Sequence, residues 1–385
     1  MEKILRDLLN NKKSILGAGP MSTNCIDAVI NISDKFNIPI QLIASRRQVD
    51  SRFHGGGYVN NWSTEEFANY VKKNTKKQLV FLSRDHSGPW QGYFEVENKL
   101  DLKSSMESCK KSLEEDIDQG FKFLHLDPCI DIHDEINTDK ILDRLFELYG
   151  HVYDYSKGLK DIYIEIGTDL QSDQISSLEE TRYILEKVTA FSSNELNHKP
   201  TFFVIQNGTK VLETENIGEY KDRVKIDKSF KKKIIELSSL INSYGLLSKA
   251  HNCDYLDITT LNTIPKSGIN GVNIAPEYGV VETKAIISLC KKNKLDDELN
   301  EFYSLSYESR KWEKWLKPES TLSNKKKAVL SGHYVFSSEE FKELVKKIEF
   351  KLEKSGVEFN NELYKAVYIS IEKSLKGLNW KQNIK

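Results

Sequence analysis

Asp85 and His86 stand side by side in FLSRDHSGP, at the end of a short apolar run. Such a pair suits metal-assisted carbonyl chemistry: the imidazole binds a divalent ion and the neighbouring carboxylate moves a proton. Successive side chains of a strand point to opposite sides, but where a strand ends and turns both can face one mouth. His251, in LLSKAHN, is the natural second ligand. A single histidine in such a place is more often a hydrogen-bonded structural residue. Two of them, with Asp85, Asp127 and Glu165 around them, bring the two readings level. Catalytic zinc commonly takes three protein ligands and keeps a fourth position open. The third is absent from the obvious place, because Gln206 ends the sixth apolar run, and Glu165 is left to fill it.

A second constellation lies in SRRQVDSRFHGGGYVNNW, residues 45–62. Arg46, Arg47 and Arg52 offer guanidinium forks that match phosphate or carboxylate oxygens. Gly55, Gly56 and Gly57 allow a ligand close to the backbone. The plain alternative is a solvated loop, and for each arginine alone it is the better one. No Gly-Lys-Ser/Thr follows, so this is not a Walker loop, and the spacing is not that of a dinucleotide-binding fingerprint. Gln48, Asp127, Gln206 and Asn273 complete the substrate-binding candidates. Cys129 has no evident base partner and reads as structural. Trp312, Trp315 and Tyr334 read as packing for the C-terminal segment.

These residues need elements to hold them. Eight β-rich runs recur: Ser14–Ala18, Ile38–Ala44, Gln78–Ser83, Phe121–Leu126, Asp161–Ile166, Thr201–Gln206, Gly245–Ala250 and Gly271–Ala275. They are short and dense in Ile, Leu, Val, Phe and Tyr, as strands covered on both faces should be. Helical patterns lie between them, one opened by the capping signal Ser63-Thr64-Glu65-Glu66. Eight strand–loop–helix units predict an α/β fold, a (β/α)8 TIM barrel over residues 1–294. In such a barrel the active site lies at the C-terminal strand ends, where Asp85, His86, Asp127, Gln206, His251 and Asn273 all fall. Residues 209–228 read as a loop insertion on that face. Residues 295–385 lack the strand rhythm and are expected to form a helical C-terminal extension.

Composition excludes several classes. The 385 residues carry 56 Lys+Arg against 57 Asp+Glu, a formal net charge of -1, so no global field favours nucleic acid or an anionic membrane. The five cysteines are scattered, with no Cys-x-x-Cys, which points to a reducing compartment rather than a disulfide framework. The start, MEKILRDLLNNKK, breaks its apolar residues with charge and is not expected to be a signal peptide or a span. The expected location is the cytoplasm.

Taken in order, QLIASRRQV…HGGGY, FLSRDHSGPWQG, GFKFLHLD, YIEIGT and LLSKAHNCDY resemble the tagatose-bisphosphate aldolase class II accessory-subunit family (GatZ/KbaZ-like). That family is related to the zinc-dependent class II ketose-bisphosphate aldolases, and the resemblance runs from about residue 14 to residue 288. It implies a TIM barrel and sugar-phosphate chemistry. It also implies that Asp85 shuttles a proton, that His86 and His251 bind zinc, and that Asn273 contacts substrate. The chain departs from the pattern at Gln206, where the catalytic aldolases have a zinc histidine. It departs again at Asn252-Cys253-Asp254, where a Gly-Ser phosphate turn is expected.

The resulting expectation is a metal-dependent aldolase-type carbon–carbon lyase acting on a phosphorylated ketose through an enediolate. The cofactor is a divalent metal, zinc first, at His86 and His251. Asp85 and Glu165 are the catalytic residues, and the arginines hold the phosphate. The alternatives are a non-catalytic subunit that stabilises a separate class II aldolase, or a sugar-phosphate epimerase using the same site. The expected partner is a small sugar phosphate, with a homodimer or a complex with a second aldolase-type subunit as the expected assemblies.

Overall fold

A computed structural model describes residues 2–158, 161–168 and 174–384, and eight parallel strands close into a barrel at its centre. They are β1 (Ile15–Ala18), β2 (Ile40–Ser45), β3 (Val80–Ser87), β4 (Phe123–Leu126), β5 (Tyr163–Ile166), β6 (Phe202–Ile205), β7 (Leu247–Ala250) and β8 (Gly271–Ile274). All eight coincide with the β-rich runs. Each strand pairs with its sequence neighbours, and β8 closes on β1 from Ile15 opposite Gly271 to Ala18 opposite Ile274. Helices cover the outside, so most of the strand residues are buried on both faces. The capping box at Ser63 forms as its sequence requires: Ser63 Oγ accepts the Glu66 N–H at 3.3 Å, and Glu66 Oε2 accepts the Ser63 N–H at 2.8 Å.

The barrel interior is not wholly apolar. Lys249 of β7 places its ammonium 2.8 Å and 2.9 Å from the two carboxylate oxygens of Glu165 on β5. Gln41 of β2 closes the triangle, accepting from Lys249 at 2.8 Å and donating to Glu165 at 2.9 Å. All three are buried, and the Lys249 ammonium also lies 5.7 Å from the Phe202 ring centroid. Two buried charges of opposite sign, with an amide on both, satisfy one another without water.

The C-terminal extension has two roles. The helix Phe359–Leu375 lies against the helices Thr23–Phe36 and Pro276–Lys292. Its Val367, Ile371 and Leu375, with Leu378 and Trp380 beyond it, belong to the same apolar core as the strands. Trp380 Nε1 donates to the Ser14 carbonyl at 2.8 Å. This packing compensates for the connection after β7, whose helices Ile258–Leu261 and Thr263–Lys266 are only a turn each. The helices Asp296–Glu308 and Glu339–Leu352 form a second apolar cluster with Pro276–Lys292, around Phe302, Phe341 and Leu344.

Between these helices the segment 312–337 reaches the mouth of the barrel. Glu213 N–H donates to the Trp315 carbonyl at 2.6 Å, and Lys317 pairs with Glu215 at 2.9 Å. On the other side Ser337 Oγ donates to the Tyr58 carbonyl at 2.8 Å. The predicted insertion supplies the first of these anchors as a small hairpin, Val211–Leu212 against Glu215–Asn216.

The Lys249–Glu165 pair generates a prediction. Lys249→Met leaves a carboxylate buried without its cation and is expected to cost about 3–5 kcal/mol in urea unfolding, whereas the double variant Lys249→Met/Glu165→Leu recovers most of that loss. A single-variant cost below about 1 kcal/mol contradicts a structural role for the pair.

Candidate active site

Four side chains, Asp85, His86, His125 and His251, converge at the C-terminal ends of the strands, and all but the buried His125 line a cavity of about 470 Å³. Asp85 lies at the centre. Its carboxylate is 3.8 Å from His86 Nε2, 3.4 Å from His125 Nδ1 and 4.0 Å from His251 Nε2. The three imidazole centroids are 4.9–5.1 Å apart. Asn273 Nδ2 joins the group, 3.0 Å from both Asp85 Oδ1 and His251 Nε2.

A distortion of β3 brings Asp85 and His86 to the same mouth. The pairing of β3 with β4 shifts register between Arg84 and Ser87, and His86 takes a φ of 52°. A non-glycine residue in the left-handed region costs of order 1–3 kcal/mol unless its surroundings hold it there. Here the His86 N–H donates to His125 Nδ1 at 3.2 Å, and His86 Nδ1 is 2.5 Å from Asp127 Oδ2. Bulges of this kind re-aim side chains next to sites. Two glycines make room: a Cβ at Gly167 would lie 2.3 Å from His125 Nε2, and one at Gly17 would lie 2.3 Å from Asn273 Oδ1.

The charges are mutually supporting. Burial alone would push the Asp85 carboxyl up, but His86, His125 and His251 overcome it and hold the group well below the usual carboxylate range. Asp127 is likewise held low, by His86, against the effect of its burial. Burial works against protonated His86, yet Asp85 and Asp127 raise its pKa to about 9. His251 is driven the other way, chiefly by burial, and is held neutral.

Several expected site residues lie elsewhere, each for a physical reason. Glu165 is held inside the barrel by Lys249 and Gln41 and is not one of the four side chains clustered at the mouth. Arg46 is buried under its loop, paired with Asp50 at 3.1 Å and Glu95 at 2.5 Å. Arg52 points to solvent, its side chain 73 % exposed and 3.7 Å from Glu65. Gly56 serves a turn: its φ is +74° and the Trp62 carbonyl lies 3.0 Å from where its Cβ would be. Gln206 follows β6 but is not among the side chains that line the cavity. Arg47, Gln48, Asp127 and Asn273 do line it. Of these, Asp127 orients His86, and Gln48 accepts the Ser45 N–H at 2.8 Å.

His125 is the residue missed from the sequence. It lies two positions before Asp127, so the alternation of β4 that directs Asp127 inward directs His125 inward as well. Cavity residues from the extension (Lys314, Trp315, His333 and Tyr334) carried no signal beyond aromatic content.

The donor set fits a divalent ion. One ligand atom from each of Asp85, His86, His125 and His251 lies within 4.8 Å of the others. Three imidazoles and a carboxylate suit zinc or a similar borderline ion. His86 has the outer carboxylate partner that orients metal-binding imidazoles, here Asp127. His125 Nε2 and Asn273 Oδ1, both buried, find no hydrogen-bond partner among the described residues.

Fold and cluster together define a class: a TIM barrel with an imidazole–carboxylate centre at its mouth. No protein-family model and no curated protein matches the sequence. Solved structures do. A probable tagatose 6 phosphate kinase from Sinorhizobium meliloti 1021 superposes with a TM-score of 0.72 at 15% identity, over 97% of this chain and 98% of its own. The YdjI aldolase from Escherichia coli K12 gives 0.50 at 12% identity, over 89% and 94%. The chain thus shares its barrel fold with these two proteins. No helix among the described residues is long and apolar enough to cross a membrane.

The shifts predict a pH dependence for the metal-free protein. His86, raised from 6.5 to about 9, contributes its full stabilisation below pH 6.5 and loses it as pH rises through 9. Asp85 and Asp127, both lowered, contribute above their ordinary value of 3.8 and lose it only in acid. His251, also lowered, costs stability only below 6.5. In EDTA, Tm is therefore expected to fall between pH 6.5 and about 9, and to fall less in Asp127→Asn. A wild-type Tm no more pH-sensitive than that of the variant contradicts this arrangement.

Proposed function

We propose that this protein is a metal-dependent, aldolase-type lyase that cleaves a carbon–carbon bond in a phosphorylated ketose. The supporting observation is the cluster itself: three imidazoles within 4.0 Å of one carboxylate, with the carboxylate and two of the imidazoles lining an open cavity at the C-terminal end of a TIM barrel. His86, His125 and His251 would hold the ion. When bound, it supplies a Lewis acid that polarises the ketose carbonyl. Asp85 accepts the proton of the substrate hydroxyl whose carbon becomes the aldehyde. It is ionised over the whole neutral range, and Asn273 fixes the direction of one of its oxygens. Asp127 sets the tautomer and plane of His86. A cavity of this size is within the range of small-molecule sites.

The same groups serve an epimerase, which needs the polarised carbonyl but breaks a different bond. The reading as a non-catalytic subunit was motivated by the missing ligand after β6. An imidazole from β4, His125, lies beside Asp85 and could take up that role, which supports the enzyme reading.

The test is cleavage of fructose and tagatose 1,6-bisphosphates and their 1-phosphates by zinc-loaded protein, with dihydroxyacetone phosphate read by a coupled dehydrogenase. At least one is expected to be cleaved, and Asp85→Asn is expected to keep its zinc but lose roughly 10²–10⁴-fold in kcat. Zinc-loaded protein that cleaves none of the four overturns the proposal.

A further inference from the structure

Most cations near the cavity are neutralised by a carboxylate. Arg46 has Asp50 and Glu95, Arg84 has Asp116, Arg52 has Glu65 and Lys317 has Glu215. Three cavity-lining cations are not. Arg47 comes from the loop after β2, Lys210 from the loop after β6 and Lys314 from the C-terminal extension. None of the three has a carboxylate partner among the described residues. Among the described residues Arg47 donates only through Nε, to the Gln91 carbonyl at 3.3 Å, and neither terminal nitrogen of its fork has a partner there.

Aromatic rings lie against two of these cations, Arg47 and Lys314. Arg47 lies 5.6 Å from the centroid of Tyr93, and Lys311 lies 4.6 Å from the same ring. Lys314 lies 4.9 Å from Trp315 and 5.1 Å from Tyr334. Behind them stands His333, 1 % exposed, with both ring nitrogens unpartnered among the described residues. It packs 4.2 Å from the Tyr334 ring and lines the same cavity. Burial lowers the pKa of His333 to about 3. Lys314 is open to water at the rim, so its charge is screened but not cancelled. The floor of the cavity carries Asp85 and Asp127, and its rim carries three unmatched positive charges. A ligand that is anionic at one end and neutral at the other fits that gradient.

We propose that Arg47, Lys210 and Lys314, with His333 as a neutral hydrogen-bonding partner, form a phosphate subsite that the C-terminal extension completes over the barrel mouth. The subsite binds the phosphate monoester end of the substrate and leaves its carbon chain to reach Asp85. Guanidinium forks and ammonium groups are the usual phosphate donors. The Gly-Ser turn expected after β7 is replaced by Asn252-Cys253-Asp254, so this anion site is built from other elements. The assignment rests on the phosphorylated-ketose reading above, and its test is chosen to fail separately from it.

That test is calorimetric titration of glycerol 3-phosphate, inorganic phosphate and glycerol into metal-free and zinc-loaded protein. Both phosphates are expected to bind metal-free wild type, and glycerol is not. Lys314→Met and Arg47→Met are each expected to weaken binding roughly tenfold to a hundredfold, as loss of one charge-assisted contact does. Lys314→Arg retains most of the affinity, and Arg52→Met matches wild type. Zinc content of Lys314→Met, read by elemental mass spectrometry, stays at the wild-type level. Loss of phosphate binding with zinc intact therefore reports on the subsite alone. Three results overturn the proposal: no phosphate binding to folded wild type, binding unchanged in both Met variants, or binding seen only with zinc present and lost in His86→Ala.

Discussion

A carboxylate removed from water must find compensating charge or donors, and at the mouth of this barrel that carboxylate is Asp85. The requirement organises what surrounds it. His86, His125 and His251 approach from β3, β4 and β7, and Asn273 approaches from β8, so four strands of the barrel must keep their relative heights for one side chain to be satisfied. The distortion of β3 serves the same end. Without the register shift after Arg84, adjacent Asp85 and His86 would project to opposite sides and only one could reach the mouth. The left-handed backbone of His86 persists because its N–H and its ring are both bonded, to His125 and Asp127.

One strand step below, Lys249 and Glu165 solve the same problem differently. They neutralise each other inside the barrel and share Gln41, so neither seeks the cavity. The two layers are joined along β7, where Lys249 and His251 are two residues apart and face inward together. A closed ion pair supports an open cluster: the lower layer is satisfied within the protein, and the upper one retains buried polar atoms that lack partners among the described residues.

Much of this was legible in the sequence, and what was not has identifiable causes. The eight strands could be read because each is a short apolar run between turn signals. Asp85, His86 and His251 could be placed because they closely follow those runs, and Asn273 because it is the polar residue inside the last of them. Glu165 was misassigned because its partners are 124 and 84 residues away, and no local pattern shows that a carboxylate is already neutralised. Arg46 failed similarly, since Glu95 reaches it from a different loop. His125 was passed over because it sits inside FLHL and looked like part of the run rather than its functional end. Lys314 and His333 had no signal, because residues 312–337 dock over the mouth through long-range hydrogen bonds to backbone carbonyls, from Glu213 N–H to Trp315 and from Ser337 Oγ to Tyr58, that sequence pattern does not encode.

The central claim is that three histidines from three strands hold one divalent ion, with His125 in the place first given to Glu165. The most direct measurement is zinc content by elemental mass spectrometry after equilibrium dialysis, for wild type, His125→Ala and Glu165→Gln. The account predicts a stoichiometric ion in wild type and in Glu165→Gln, and its loss in His125→Ala with the fold intact by circular dichroism. A wild type that takes up no zinc, or a His125→Ala variant that keeps it while Glu165→Gln loses it, would contradict the account.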